Sequence, residues 1–283
     1  KAEGIYQQIL QSNPNQPIAF YLLGLIAHQV GKNKNAFDLI SKALAIKPDF
    51  AEAHNNLGNV LTELGQLDEA VVSFNEAVSI KPDYAEAHSN LGNALQKLKQ
   101  FDEAVTSYNK ALNIIPDYSE VQSNLGLALQ ELGQLDAAVE SYNKAIAINP
   151  DLAEAHYNLG NTLQELGSFD EAVASYHRAI FIKPDYVEAH YNLGNALKEL
   201  RQLKGAVASY NKALAIKPNY AEVHSNLGNA LKDLNQLDDA VISYQNALEI
   251  KPSYTETHSN LGTAFQAQGK LNEAVASYYN ALT

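Results

Sequence analysis

The sequence predicts an all-α solenoid of stacked antiparallel helix pairs, on three observations. Pro14, Pro48, Pro82, Pro116, Pro150, Pro184, Pro218 and Pro252 stand 34 residues apart. Between them nearly the same text returns: AEAHNNLGNVLTELGQLDEAVVSFNEAVSIKPDY at 51–84 is followed by AEAHSNLGNALQKLKQFDEAVTSYNKALNIIPDY at 85–118. Within each copy, two runs of apolar residues at helical spacing are separated by a break. A fixed period of this length marks units that cannot bury their apolar faces alone and stack on their neighbours to do so.

Taken in order, residues 1–16 align with the second half of a unit and supply one helix. Seven full units follow, at 17–50, 51–84, 85–118, 119–152, 153–186, 187–220 and 221–254, and 255–283 hold both helices of an eighth. The expectation is one array over 1–283 with seventeen helices. In the unit 51–84 the first helix carries Ala53, Leu57, Val60, Leu61 and Leu64 as one stripe, and the second carries Leu67, Ala70, Val71, Phe74, Ala77, Val78 and Ile80. Asp49 with Glu52 reads as a capping box, as do Asp83/Glu86, Asp117/Glu120, Asp151/Glu154 and Asp185/Glu188. Gly65, Gly133, Gly167 and Gly269 stand where a left-handed residue ends the first helix; Asn235, Lys99 and Arg201 take that place in other units. Gly58 lies inside the first helix and recurs at 24, 92, 126, 160, 194, 228 and 262. Glycine costs about 1 kcal/mol there relative to Ala, so a paired helix backbone is expected to pass too close for a side chain.

Composition narrows the function. The formal charge is −12, from 32 acidic and 20 basic side chains, so no broad cationic surface exists to release counterions from a nucleic acid. Nucleic acid is not an expected partner. There is no cysteine for a disulfide or thiolate metal site. No apolar run approaches the ~18 residues that span a membrane, and KAEGIYQQIL is not a signal peptide, so no membrane association and a cytoplasmic location are expected. The chain contains no methionine and opens at Lys1 partway through a repeat, as a piece of a longer protein would.

The set Leu57, Gly58, Leu61, Ala70, Phe74, Ala77 and Pro82 resembles the tetratricopeptide repeat, and the resemblance covers essentially the whole chain. Two departures are visible: His54, His88, His156, His190, His224 and His258 replace the usual aromatic at the fourth position, and leucine mostly replaces the aromatic at the eleventh. Within that family the run AEAHSNLGNALQ is similar to the repeat arm of O-linked N-acetylglucosamine transferase and its bacterial relatives. The resemblance implies a right-handed superhelix, with the first helix of each pair on the concave side.

The candidate binding residues form two rows on the first helices. Asn56, Asn90, Asn124, Asn158, Asn192, Asn226 and Asn260 share one register; Asn59, Asn93, Asn161, Asn195 and Asn229 share another, broken by Leu127 and Thr263. Asparagine is a poor helix-interior residue, so its recurrence points to a purpose beyond helix formation. A carboxamide donates and accepts, so it can bind a peptide unit whatever side chain that unit carries. With first helices on the order of 10 Å apart and an extended chain advancing ~3.3–3.6 Å per residue, one asparagine meets about every third ligand residue. The competing reading is that these amides only tie neighbouring helices together. Tyr157 and Tyr191 occupy the fifth position, where other units mostly have serine, as candidate aromatic anchors. The outer tyrosines, Tyr108, Tyr142, Tyr176, Tyr210, Tyr244 and Tyr278, have the register of core residues.

Other chemistry is set aside on geometry. Histidines separated by a helix spacing of roughly 10 Å cannot share a zinc whose ligands each lie about 2 Å away, so they are expected to fill space between helices. The second-position glutamates could add acidity to the groove. The fifth position lacks the lysine with which a carboxylate clamp would hold a chaperone C-terminus. No catalytic constellation and no cofactor site is expected, because phosphate-binding loop, HExxH and nucleophile-elbow patterns are all missing. The expected function is a non-catalytic scaffold holding an extended polypeptide. The alternatives are the substrate-selecting arm of a larger glycosyltransferase-like enzyme and a scaffold that self-assembles through its ends. Ile18, Leu22 and Leu25, which stand where later units have Glu, Asn and Asn, are either covered by an upstream helix or form an apolar docking patch.

Overall fold

The computed structural model describes residues 2–282 and contains the seventeen expected helices, with no strand among them. The chain divides into two compact units, Lys1–Ile148 and Asn149–Thr283. Unit 1 holds α1 (Ala2–Ser12), α2 (Pro17–Gln29), α3 (Asn33–Ile46), α4 (Ala51–Glu63), α5 (Leu67–Ile80), α6 (Ala85–Lys97), α7 (Phe101–Ile114), α8 (Ser119–Glu131) and α9 (Leu135–Ile148). Unit 2 holds α10 (Ala153–Glu165), α11 (Phe169–Ile182), α12 (Val187–Glu199), α13 (Leu203–Ile216), α14 (Ala221–Asp233), α15 (Leu237–Ile250), α16 (Thr255–Ala267) and α17 (Leu271–Asn280).

Within each unit every helix packs on the next, and first helices also touch first helices: α2 on α4, α4 on α6 and α6 on α8, then α10 on α12, α12 on α14 and α14 on α16. Second helices of successive pairs make no such contact among the described residues. The first helices are therefore the crowded inner side of each stack. This is where the two asparagine rows lie.

Each pair from α4/α5 onward is locked by an aromatic ring from its second helix. Phe74 in unit 1 and Tyr176, Tyr210 and Tyr244 in unit 2 are fully buried, as are Tyr108 and Tyr142. Burying a side chain of this size contributes about 1.5–3 kcal/mol. The glycine expectation is corrected in one respect: what excludes a side chain is the ring and not a backbone. A Cβ on Gly58 would lie 2.5 Å from the Phe74 ring, and one on Gly194 would lie 2.4 Å from the Tyr210 ring. In the first full repeat Gly24 faces Ile40 at 2.6 Å instead.

The helix stops follow the sequence. Gly65, Gly133, Gly167 and Gly269 have positive φ, and Lys99, Arg201 and Asn235 accept the same backbone at φ 60, 57 and 60. The capping boxes do not form. The N-cap residues of α4, α6, α8, α10 and α12 are Phe50, Tyr84, Tyr118, Leu152 and Tyr186, one residue after the aspartate, and none makes a side-chain cap hydrogen bond. The Pro-Asp pair is taken up by the preceding turn. The aromatic N-cap instead packs under an ammonium, with Lys81 4.9 Å from the Tyr84 ring and Lys183 4.6 Å from that of Tyr186.

Candidate functional site: two asparagine rows on the inner helices

All twelve row asparagines are half-buried, as Tyr157 and Tyr191 are. Their helical spacing places both rows on the inner side, and their hydrogen bonds run mainly between successive first helices. The site is most regular in unit 2. Asn192 on α12 donates through Nδ2 to Asn161 Oδ1 on α10 at 2.9 Å and to Tyr157 Oη at 3.2 Å. One repeat on, Asn226 on α14 donates to Asn195 Oδ1 at 3.1 Å and to Tyr191 Oη at 3.0 Å. The second row is held from its other side by outer-helix tyrosines: Tyr176 Oη donates to Asn161 Oδ1 at 2.9 Å, Tyr210 Oη to Asn195 Oδ1 at 2.8 Å and Tyr244 Oη to Asn229 Oδ1 at 2.7 Å. Tyr176 also lies 3.2 Å from Gln164 Oε1 and shares its single proton between the two acceptors.

Unit 1 builds the same rows from varied parts. Tyr108 Oη donates to Asn93 Oδ1 at 2.8 Å, and Asn124 Nδ2 donates to that oxygen at 3.0 Å. Asn90 donates instead to Asn55 Oδ1 at 3.0 Å, and Asn56 to Tyr21 Oη and the Glu52 carbonyl, both at 2.8 Å. Phe74 has no hydroxyl to offer Asn59, and Leu127 gives Tyr142 no asparagine to hold. Asn93 and Asn124, with Gln96 and Lys97, line a cavity of about 350 Å³. A larger one, about 540 Å³, is lined by Pro218, His224, Asn246 and Glu249 among others and contains none of the row residues.

Two participants escape a reading of the sequence alone. Tyr21 sits at the fifth position, the register of Tyr157 and Tyr191, and that shared register was the available signal. Asn55 is fully buried and donates to Tyr84 Oη at 3.4 Å and Glu86 Oε1 at 3.3 Å; nothing in its own repeat announces partners 29 and 31 residues away. Burial, with Glu86 and Glu52 nearby, pushes the Tyr84 hydroxyl up to about 12, so it stays neutral. Tyr157 and Tyr191 also pack, tilted, against the N-cap rings of the next repeats, with centroids 4.8 Å from Tyr186 and 5.5 Å from Tyr220. They are therefore built into the stack, where both pack against the hydrophobic core. The row histidines tie six of the first helices to the turn before them, because Nε2 of His54, His88, His156, His190, His224 and His258 bonds to the proline carbonyl six residues back, at 2.9–3.0 Å. Among the described residues no group of histidines and carboxylates could hold a metal, and no helix is long and apolar enough to cross a membrane. On α2, Ile18 is exposed while Leu22 and Leu25 are half-buried.

Comparison with known proteins agrees with this architecture. A family model described as a TPR repeat matches residues 58–99, 128–167, 162–201, 197–234 and 228–269, and further tetratricopeptide repeat models match 1–49, 39–72 and 85–118. No curated protein matches the chain. Among solved structures, MamA is 26% identical over 56% of this chain and 92% of its own, with a TM-score of 0.55. YrrB, described as a TPR protein with an unusual peptide-binding site, is 24% identical over 65% of this chain and 95% of its own, with a TM-score of 0.56. PilF of Pseudomonas aeruginosa is 20% identical over 77% of this chain and 97% of its own, with a TM-score of 0.64. With models matching well over half of its length, and with paired helices stacked as described, the chain belongs to the tetratricopeptide repeat family.

Proposed function

We propose that this protein is a non-catalytic interaction scaffold that holds an extended polypeptide along the inner helices, gripping its main chain with the first-row asparagines. The second row and the two inner tyrosines assist. One observation carries the reading: the row amides are half-exposed on the crowded side of each stack, and their bonds to neighbouring helices leave part of each amide over. Asn192 and Asn226 use Nδ2 twice, while no hydrogen bond among the described residues uses their Oδ1. A purely structural tie would have no need to keep a polar atom accessible in seven successive repeats. The excess of acidic side chains favours a partner that is not itself acidic. Each main-chain bond contributes about 0.5–1.5 kcal/mol net, so the rows support moderate affinity built from many small contacts.

The test replaces Asn124, Asn158 and Asn192 together by alanine and measures binding of an unstructured peptide beside the melting temperature. A folded triple variant with at least tenfold weaker binding supports the reading. Unchanged binding by that folded variant rejects it.

A further inference from the structure

The orientation of the inner amides is set from the far side of the helices. A carboxamide has two N–H donors and one oxygen with two lone pairs. In unit 2 both N–H groups of Asn192 and both of Asn226 are engaged, by Asn161 with Tyr157 and by Asn195 with Tyr191. Both lone pairs of the Asn161 oxygen are engaged by Tyr176 and Asn192, and both of the Asn195 oxygen by Tyr210 and Asn226. What is left over differs between the rows. Asn192 and Asn226 retain only an acceptor, Asn161 and Asn195 only donors.

We propose that Tyr176 and Tyr210 are positioning residues that fix this polarity, and that unit 2 consequently selects a partner presenting unsubstituted peptide N–H and C=O groups in an extended chain. This rests on the scaffold reading above and goes further by naming what the partner must supply. A segment rich in proline or N-methylated residues lacks the N–H that the Asn192 and Asn226 oxygens require. A turned carboxamide would set oxygen against oxygen at the 2.9 Å contact between Asn192 and Asn161, so the orientation is not free to follow the ligand. The tyrosines reach the amides from α11 and α13, where they are fully buried and touch no ligand themselves.

The molecule carries its own controls. Phe74 fills the same register in unit 1 at 1% exposure, so Tyr→Phe is compatible with the packing. Tyr142 is equally buried but faces a repeat whose second row is Leu127, so its hydroxyl has no row asparagine to orient. The experiment compares the full chain with Tyr210→Phe, Tyr176→Phe/Tyr210→Phe and Tyr142→Phe. The probes are a 16-mer of alternating Gly and Ser and the same peptide with every second residue N-methylated. The readouts are the side-chain NH₂ resonances of Asn161, Asn192, Asn195 and Asn226 and the Kd.

The expected result has three parts. The NH₂ resonances of Asn195 and Asn226 move in Tyr210→Phe without peptide. The double variant binds the unmodified peptide about fivefold or more weakly, on the scale of one lost hydrogen bond per site, while Tyr142→Phe binds as the parent does. The N-methylated peptide binds the parent at least about tenfold more weakly than the unmodified one. Equal affinity of the double variant and parent, or equal binding of the two peptides, overturns the proposal. If the peptide shifts none of the row resonances in the parent, the ladder reading itself fails and the partner class falls with it. A parent that binds while both peptides bind alike defeats only the polarity.

Discussion

The two units use one pattern with different completeness. In unit 2 an outer tyrosine, a second-row asparagine, a first-row asparagine of the next helix and an inner tyrosine are joined twice over, through Tyr176 and again through Tyr210. In unit 1 no repeat has the full set: Phe74 replaces the tyrosine, Leu127 replaces the second-row asparagine, and Asn55, Ser89 and Ser123 stand where Tyr157 and Tyr191 do. Helix packing is nonetheless the same in both. Ring burial in the pair and amide bonding across pairs are thus separate levels of the design: the first makes the stack, and the second decides what its inner surface can offer.

The largest effect that would expose this difference comes from alkaline pH. Burial pushes the hydroxyls of Tyr108, Tyr142, Tyr176, Tyr210 and Tyr244 above the ordinary tyrosine value of 10.0. A folded-state value above the unfolded one means that the stabilisation is fully present below about pH 10 and is lost as pH rises toward the folded value. Helical signal should fall together with tyrosinate absorbance above about pH 10. Amide exchange resolved by helix should open unit 2, with three such residues, before unit 1, with two. Simultaneous opening would break the contrast.

A middle-sized effect should come from repairing unit 1. Phe74→Tyr gives Asn59 the donor that Asn93 obtains from Tyr108, and with a hydrogen bond worth about 0.5–1.5 kcal/mol the midpoint of urea unfolding should rise. Destabilisation would mean that the Phe74 site cannot accept a hydroxyl. The smallest effect sharpens the account of helix starts. A working N-cap aspartate is worth ~1 kcal/mol, but the Asp83 side chain caps nothing, so Asp83→Ala should change stability by less than about 0.5 kcal/mol in the same measurement.

The fold was legible because its signals are local and repeated. Proline spacing, the glycine after the first helix and the two apolar stripes each act within a few residues, and eight copies remove the ambiguity of any one. Lys99 and Arg201 were legible as helix ends only because the repeat placed them in the glycine register. The capping boxes misled for the same local reason: S/T/D-x-x-E describes a helix start, and here the turn after proline claims the aspartate. Half of the site could be read. The rows were visible as periodic asparagines, whereas the direction of each amide depends on partners such as Asn161 for Asn192, 31 residues away, and Tyr210 for Asn195, 15 residues away. Those pairings exist only once the helices are stacked.

The glycine and its ring belong to the same copy of the repeat: Gly58 with Phe74, Gly92 with Tyr108, Gly160 with Tyr176. A gene segment encoding 34 residues therefore carries both halves of its own lock, and duplicating or deleting one such segment leaves every remaining lock intact. Helix packing, ring contacts and amide bonds must be renegotiated only at the new seam, so a change in the number of repeats is separable from a change in the residues that the inner surface carries.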